Sequence, residues 1–168
     1  MTQYEFGWNN IYNRTFMNIK DCKIQNFQYN FLHRNIATNK FLLKTKLSNS
    51  STCSFCNMEE ETIDHLFWNC MEIQHFWNSV FAFINSKNRR NISMNKYYVF
   101  FGYKNSAVTY ITTLAKYYIY CCKFKQTIPS FTGFKRKLTK SINFEHYIAL
   151  TQDKLDTFND MWNIYDFI

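Results

Sequence analysis

The chain has 168 residues, of which 46% are hydrophobic and 20% aromatic, with only 3 glycines and 1 proline. This is enough apolar material for one domain, or for one domain with a small appendage. The scarcity of glycine and proline argues against a sandwich or barrel with many tight turns. No run of about 18 apolar residues occurs, so the sequence predicts no membrane-spanning helix and no membrane partner.

The formal net charge of +8 is distributed unevenly along the chain. Residues 53–77 contain five acidic residues and no lysine or arginine, whereas residues 78–140 contain twelve lysines and arginines and no acidic residue. Such a basic block is either a binding surface for polyanions, which we favour, or a solvated face of one sign. Seven tyrosines between Tyr97 and Tyr120 either pack in a core or stack on bases.

The first 52 residues predict an N-terminal helical segment that packs on the rest of the chain. Apolar residues recur at helical intervals from Phe6 to Ile19, and again after Asp21, a predicted helix N-cap. Thr38 is the predicted N-cap of a shorter helix, which the polar run at 48–52 closes.

Three cysteines and one histidine follow within eighteen residues: Cys53, Cys56, His65 and Cys70. Thiolates and a neutral imidazole are the ligands of structural zinc, and four of them fill its tetrahedral positions without leaving one for water. The spacing therefore predicts one structural Zn²⁺. The alternative is four reduced residues scattered in a core, because free cysteine is among the most buried residue types.

His65 and Cys70 are five residues apart, which corresponds to roughly 140° on an ideal α-helix. Both can bind one ion only if the helix after its predicted N-cap, Thr62, is irregular or begins late. The apolar stripe continues to Ile84, so residues 53–84 predict a zinc-binding module with one long helix, or two joined near Cys70. The glutamates at 59–61 precede this helix, where they favour its dipole.

Residues 85–168 predict a basic helical tail that ends in an acidic helix at 152–162. The apolar run Tyr97–Tyr103 is either strand-like or a buried connector, and helical periodicity begins at Ser106 and again after the predicted N-cap Ser130. The whole pattern predicts a mainly α, helical domain organised around a small zinc-binding module. Cations of the tail are the predicted nucleic-acid contacts: Lys87, Arg89, Arg90, Lys96, Lys104, Lys135, Arg136, Lys137 and Lys140.

Six cysteines are compatible in principle with three disulfides, but Cys121 and Cys122 are adjacent and Cys22 is isolated. Reduced thiols with one metal site fit this spacing better. The residues after Met1 lack the basic and apolar pattern of a signal peptide, so we expect a nuclear or cytoplasmic protein.

Several segments form a recognisable series: Phe27–Arg34, Thr38–Leu43, Cys53–Cys56, His65–Cys70 and Phe76-Trp77. In this order they resemble the C-terminal zinc-binding region of reverse transcriptases from LINE-type, or non-LTR, retrotransposons. The later runs Ala115–Lys125 and Pro129–Lys135 are similar to the tail that follows in animal elements.

The resemblance implies a zinc-stabilised, non-catalytic module that helps to hold template RNA or target DNA during target-primed reverse transcription. It assigns zinc to Cys53, Cys56, His65 and Cys70. No Asp-Asp pair occurs in the chain, so we expect the polymerase and endonuclease domains to be lacking. The expected partner is RNA or DNA, and a reverse transcriptase or another protein subunit is a further candidate.

The main alternative is a protein-interaction scaffold, as in a host-adopted retrotransposon fragment. It is favoured by the acidic C-terminal segment Asp153–Ile168, whose Trp162 and later apolar residues offer a docking face. An enzyme is the weakest interpretation, because it needs a catalytic cysteine or histidine for which the sequence shows no partner base.

Overall fold

The computed structural model describes residues 7–16, 19–87, 91–104 and 106–162, and these residues are mainly helical. They form a π-helical turn at His65–Asn69 and eight α-helices: α1 (Trp8–Phe16), α2 (Cys22–Leu32), α3 (Asn39–Lys44), α4 (Met71–Lys87), α5 (Lys96–Phe101), α6 (Ser106–Phe124), α7 (Phe131–Thr151) and α8 (Leu155–Trp162). Over these residues, extended pairing is confined to an isolated antiparallel bridge between Thr52 and Glu60. The predicted helical fold is confirmed. In the same part of the chain, no helix is both long enough and apolar enough to cross a bilayer.

Side-chain caps fix where several helices begin. The predicted N-caps each accept a backbone N–H two or three residues ahead: Asp21, Thr38, Thr62 and Ser130. Each cap satisfies one of the N–H groups that a first helical turn leaves unpaired, and is worth about 0.5–2 kcal/mol.

The run Tyr97–Tyr103 differs from its prediction, because most of it is the short helix α5. The Asn95 side chain accepts two backbone N–H groups at the start of α5, and Gly102 ends the helix at φ 91°. A Cβ on Gly102 would lie 3.3 Å from side chains of α1 and α6, so the site needs glycine for both its backbone angle and its packing. Six residues are too few for a helical period to show in the sequence.

Helix α6 lies at the centre of the core. It contacts α1, α2, α5, α7 and α8, and every residue from 107 to 116 is buried. The core cluster runs from Ile19 to Trp162, so the three predicted segments, 1–52, 53–84 and 85–168, all contribute to it. The zinc-binding part and the tail therefore pack against each other in one core and are not separate units joined by a linker.

Lys116 and Lys123, two cations of the basic block, are buried rather than displayed. Lys116 Nζ donates to Gln28 Oε1 at 3.0 Å and to the Phe100 carbonyl at 3.1 Å, and it lies 4.3 Å from the centre of the Phe31 ring. Burial lowers the pKa of Lys116 well below its ordinary value. The expectation that the whole block is one surface is therefore wrong for these two residues.

Candidate metal centre and basic groove

The four predicted zinc ligands lie together. One ligand atom from each of Cys53, Cys56, His65 and Cys70 is within 4.8 Å of the other three. The sulfurs of Cys53 and Cys70 are 3.8 Å apart, and His65 Nε2 lies 3.4 Å from Cys56 Sγ. Sulfurs bound tetrahedrally to zinc at about 2.3 Å are themselves about 3.8 Å apart, so the residues present fit the ion.

A tight hairpin at 52–60 presents the first two sulfurs. The N–H of Cys53 donates to the Glu59 carbonyl at 2.8 Å, and the N–H of Asn57, at φ 54°, donates to the Cys53 carbonyl at 3.1 Å. The N–H of Phe55 points at Cys53 Sγ, 3.4 Å away. Backbone N–H groups aimed at a sulfur favour its thiolate form, which is the form that binds metal.

The π-helical turn brings His65 and Cys70 to one side. The N–H of Cys70 donates to the His65 carbonyl at 3.0 Å, five residues back, and Cys70 then adopts an extended conformation from which α4 begins. A π turn closes its hydrogen bonds between residues five apart, where an α-helix closes them between residues four apart. Residues five apart therefore lie on nearly the same side of the turn. Of the two predicted alternatives, one long helix or two joined near Cys70, the structure shows the second, with the irregularity between the ligands.

The hydrogen bond between Cys53 and Cys70 shifts the pKa values of both thiols. A hydrogen bond from the Cys53 thiol, helped by the backbone N–H groups of Ile73 and Glu72, holds the pKa of Cys70 below its ordinary value. The same bond and burial raise the pKa of Cys53. Zinc binds cysteine as the thiolate, so binding releases the thiol protons. The apparent affinity of the site for zinc therefore rises with pH.

The far side of the His65 ring faces a carboxylate. His65 Nδ1 is buried and lies 3.0 Å from Glu59 Oε2, although the angle is poor for a hydrogen bond. A carboxylate beside one ring nitrogen keeps the proton there and leaves the other nitrogen, Nε2, as a lone-pair donor for metal.

Glu61 has contacts that differ from its predicted role at the start of a helix. Its fully buried carboxylate accepts the backbone N–H of Asn39 at 2.8 Å and that of Ser54 at 2.7 Å. The ammonium of Lys123 lies 3.1 Å from the same carboxylate. Glu61 thus supports α3, the zinc hairpin and α6 together, rather than the dipole of the helix that follows it in sequence.

The chemistry of this centre is structural. Three thiolates and one imidazole complete a tetrahedral shell and leave no open position for a substrate. Such sites contribute about 10–16 kcal/mol to folding. A dication with three thiolates carries one net negative charge. Residues 53–77 add five acidic side chains, of which Glu60, Glu61 and Asp64 form ion pairs with cations from other segments.

A second feature is an open groove of about 350 Å³ between α6 and α7, which we call the basic groove. The described residues that line it include no acidic side chain. Its cations are Lys125, Arg136, Lys137 and Lys140. Of these, Lys125 was not among the predicted contacts, because sequence alone does not show that the end of α6 faces α7.

Two tyrosines of α6 border the basic groove. The Tyr117 ring contacts that of Phe27 at a tilt, with ring centres 5.5 Å apart, and the ammonium of Lys137 lies 5.2 Å from the Tyr117 ring centre. Burial, followed by the neighbouring Cys121, raises the pKa of Tyr117 to about 12, so its hydroxyl stays protonated at neutral pH. The Tyr118 ring instead packs against Phe134 and other aromatic side chains.

The other predicted contacts lie elsewhere. Lys96 forms an ion pair with Asp64 at 2.6 Å, beside the zinc module. Lys135 is exposed on α7, with its ammonium 5.9 Å from the Phe83 ring centre. Lys87 and Lys104 are exposed at the end of α4 and beyond α5. Arg89 and Arg90 lie outside the described residues.

Comparison with known families bears on the first half of the chain. Residues 2–77 match the family model described as zinc-binding in reverse transcriptase, and the match includes all four ligands. No curated protein and no solved structure matches the chain. The chain thus carries a zinc-binding domain related to that of reverse transcriptases, with one structural zinc, followed by a tail that contains the basic groove.

Proposed function

We propose that this protein is a non-catalytic, zinc-stabilised module that binds RNA or single-stranded DNA and derives from a LINE-type reverse transcriptase. The observation that carries the proposal is the basic groove, where three cations of α7 and one in the turn after α6 lie beside two tyrosines of α6. Proteins that hold single strands combine cations for the phosphates with aromatic rings for the bases.

The division of charge supports this assignment. Residues 53–77 contain no lysine or arginine that could contact phosphate, so anion contact falls to the tail. Helix α4 connects the two, because its Phe76 ring lies 5.9 Å from the ring of Tyr118 and 5.6 Å from that of Phe134. In this proposal zinc fixes the start of α4, and α4 in turn supports one wall of the basic groove.

The absence of catalysis is part of the proposal. The metal ligands form a closed set, whereas hydrolysis or nucleotidyl transfer by a metal needs an open position. Cys121 lines the basic groove, but the described lining residues include no histidine or carboxylate to act as its base.

A protein-interaction scaffold is less well supported by the described residues. Trp162, one of the apolar residues on which that alternative rests, is 1% exposed and packs against Tyr110 with ring centres 5.4 Å apart. Ile164, Tyr165 and Phe167 lie outside the described residues.

Titration of a fluorescent single-stranded oligomer at several salt concentrations tests the proposal. If about four phosphates are contacted, the logarithm of affinity should fall with that of salt at a slope of about −3. The triple variant Arg136→Ala, Lys137→Ala and Lys140→Ala should weaken binding and flatten this slope. Its charge-matched control replaces three exposed cations outside the groove, Lys23, Lys44 and Lys46, by alanine and should bind nearly as the wild type.

Two results would contradict the proposal. If the groove variant keeps both its affinity and its salt slope, the basic groove is a solvated face and the scaffold becomes the better interpretation. Equal losses in the groove variant and its control would show that net charge alone attracts the oligomer.

A further inference from the structure

We infer that the basic groove holds one unpaired base against the ring of Tyr117, with the flanking phosphates on Arg136 and Lys140. The inference rests on the proposed function and adds to it a specific contact and a preference for unpaired strands. Nothing in the family match concerns this part of the chain, because the match ends at residue 77.

The Tyr117 ring lies at the border between the core and the basic groove. It contacts Phe27 at a tilt of 56°, and the ammonium of Lys137 lies 5.2 Å from the ring centre. A half-buried ring that packs against the core and borders an open groove is a prepared stacking platform, because little freedom is lost when a base covers it.

The Lys137 ammonium marks where the base would lie. Lys137 is half-buried, and an ammonium near a tyrosine ring is a weaker contact than the stacking of a base on that ring. When a base takes the ring face, the flexible lysine side chain can move its charge onto the adjacent phosphate. The exchange replaces one weak contact by a stack and an ion pair.

The rings of the neighbouring tyrosines already pack against other aromatic side chains of the protein. Tyr118 packs against both Phe76 and Phe134, with ring centres 5.9 and 5.8 Å away. Tyr120 contacts both Phe27 and Phe124, with ring centres 5.3 and 4.9 Å away. Of the two tyrosines that line the basic groove, Tyr117 therefore has the face that a base can reach.

The size of the groove favours a single strand. Its volume of about 350 Å³ is at the lower end of the range for ligand sites, about 300–1,000 Å³, and suits a base with its phosphate. A duplex keeps its bases stacked inside and offers phosphates only, so it cannot use the Tyr117 ring. Unpaired RNA and single-stranded DNA should both be accepted, since every base has a ring face.

The test compares three probes of equal length: a uridine oligomer, an abasic oligomer with the same phosphates, and a duplex. Tyr117→Ala should weaken binding of the uridine oligomer about tenfold or more, and should leave binding of the abasic oligomer and the duplex unchanged. Tyr117→Phe keeps the ring and should bind as the wild type. Tyr147→Ala removes a tyrosine of α7 that is 65% exposed and lies outside the groove, and it should have no effect.

A measurement on the unaltered protein avoids dependence on the folding of Tyr117→Ala. Light-induced crosslinking to 5-iodouridine in the oligomer, followed by peptide mapping, should label Tyr117. Labelling at other residues only, or equal effects of Tyr117→Ala on the uridine and abasic oligomers, would overturn the stacking site while the groove cations still carry the proposed function. Failure of every probe to bind the wild type would instead overturn the proposed function, and the inference with it.

Discussion

The carboxylate of Glu61, in the zinc-binding part of the chain, lies 3.1 Å from the ammonium of Lys123 near the end of α6, and both side chains are buried. The ammonium also donates to Asn39 Oδ1 at 2.7 Å, so the two charges share a network with the start of α3. A buried ion pair is a poor source of net stability, but removal of one partner leaves an uncompensated charge. The pair therefore makes the stability of the zinc-binding part depend on the tail.

Lys123→Met should lower the free energy of unfolding by about 3–5 kcal/mol, because it leaves the Glu61 carboxylate buried without its counter-charge. The double variant Glu61→Gln with Lys123→Met should lose less, since glutamine is uncharged and still accepts from the N–H of Asn39. Denaturant unfolding measures both, with the exposed Lys125→Met as the matched control. Equal stabilities of Lys123→Met and the control would show that the pair has no such role.

Cys56→Ser should abolish stoichiometric zinc and unfold at least residues 50–77. The expected loss is large, because structural zinc contributes about 10–16 kcal/mol and whole domains are stable by about 5–15 kcal/mol. Metal analysis of the purified protein and thermal melting measure the two effects. Cys22→Ser, which replaces an exposed cysteine outside the cluster, should retain both zinc and melting temperature. Full zinc content in Cys56→Ser would refute the ligand assignment.

Deletion of Asn69 should weaken zinc binding although Asn69 is exposed and is not a ligand. The deletion leaves His65 and Cys70 four residues apart, so a regular α-helical turn can align them only if α4 rotates by about 100° and withdraws its buried apolar face from the core. Competition with a coloured chelator gives the relative affinities. Asn69→Ala keeps the spacing and should bind zinc normally; if both variants bind equally well, the π turn is not needed for ligand alignment.

Glu145→Gln should stabilise the protein near neutral pH. Burial raises the pKa of Glu145 above 4.5, its value in an unfolded chain, so between those two pKa values the folded state holds more protons than the unfolded state. Wild-type stability should therefore fall as pH rises through that window. Glutamine cannot ionise and can still accept the N–H of Lys20, which now donates to Glu145 Oε1 at 2.9 Å.

Unfolding curves across this pH range measure the difference between wild type and Glu145→Gln. The gap should be smallest at or below about pH 4.5 and should widen above it. The exposed Asp156→Asn provides the control for loss of a carboxylate. A gap that does not change with pH would show that Glu145 acts only through its shape and hydrogen bonds.

Gly133→Ala should destabilise α7 even though alanine favours helices by about 1 kcal/mol over glycine. A Cβ at this position would collide with the Tyr118 hydroxyl, so α6 and α7 approach closely only because residue 133 has no side chain. Tyr118→Phe removes the obstructing atom, and the double variant should recover most of the lost stability. Thermal melting of the single and double variants measures this, and an absence of recovery would locate the strain elsewhere.

Sequence could predict whatever is decided by residues close together in the chain. The zinc ligands and the caps at Asp21, Thr38, Thr62 and Ser130 are of this kind, because a cap or a chelating turn is complete within a few residues. Even the irregular turn was predictable, since two ligands five apart cannot face one ion from a regular α-helix.

What sequence could not show depends on partners far apart in the chain. Lys116 reaches Gln28 across 88 residues, and Lys123 reaches Asn39 across 84, so both lysines were counted as surface charges. The sequence does not show which partner a lysine or arginine will contact in the folded protein. For the same reason Lys125 and Tyr117 emerged as parts of the basic groove only when α6 and α7 were seen side by side.

The start of α4 has an optical consequence. The indole Nε1 of Trp77 donates to the carbonyl of Phe67, within the π turn, at 2.9 Å, and Trp77 is fully buried. Because the π turn carries His65 and delivers Cys70, loosening of the metal ligands will disturb the surroundings of this indole. The protein thus carries its own emission signal for metal occupancy: withdrawal of zinc will shift tryptophan fluorescence to the red as water reaches Trp77, without any added label.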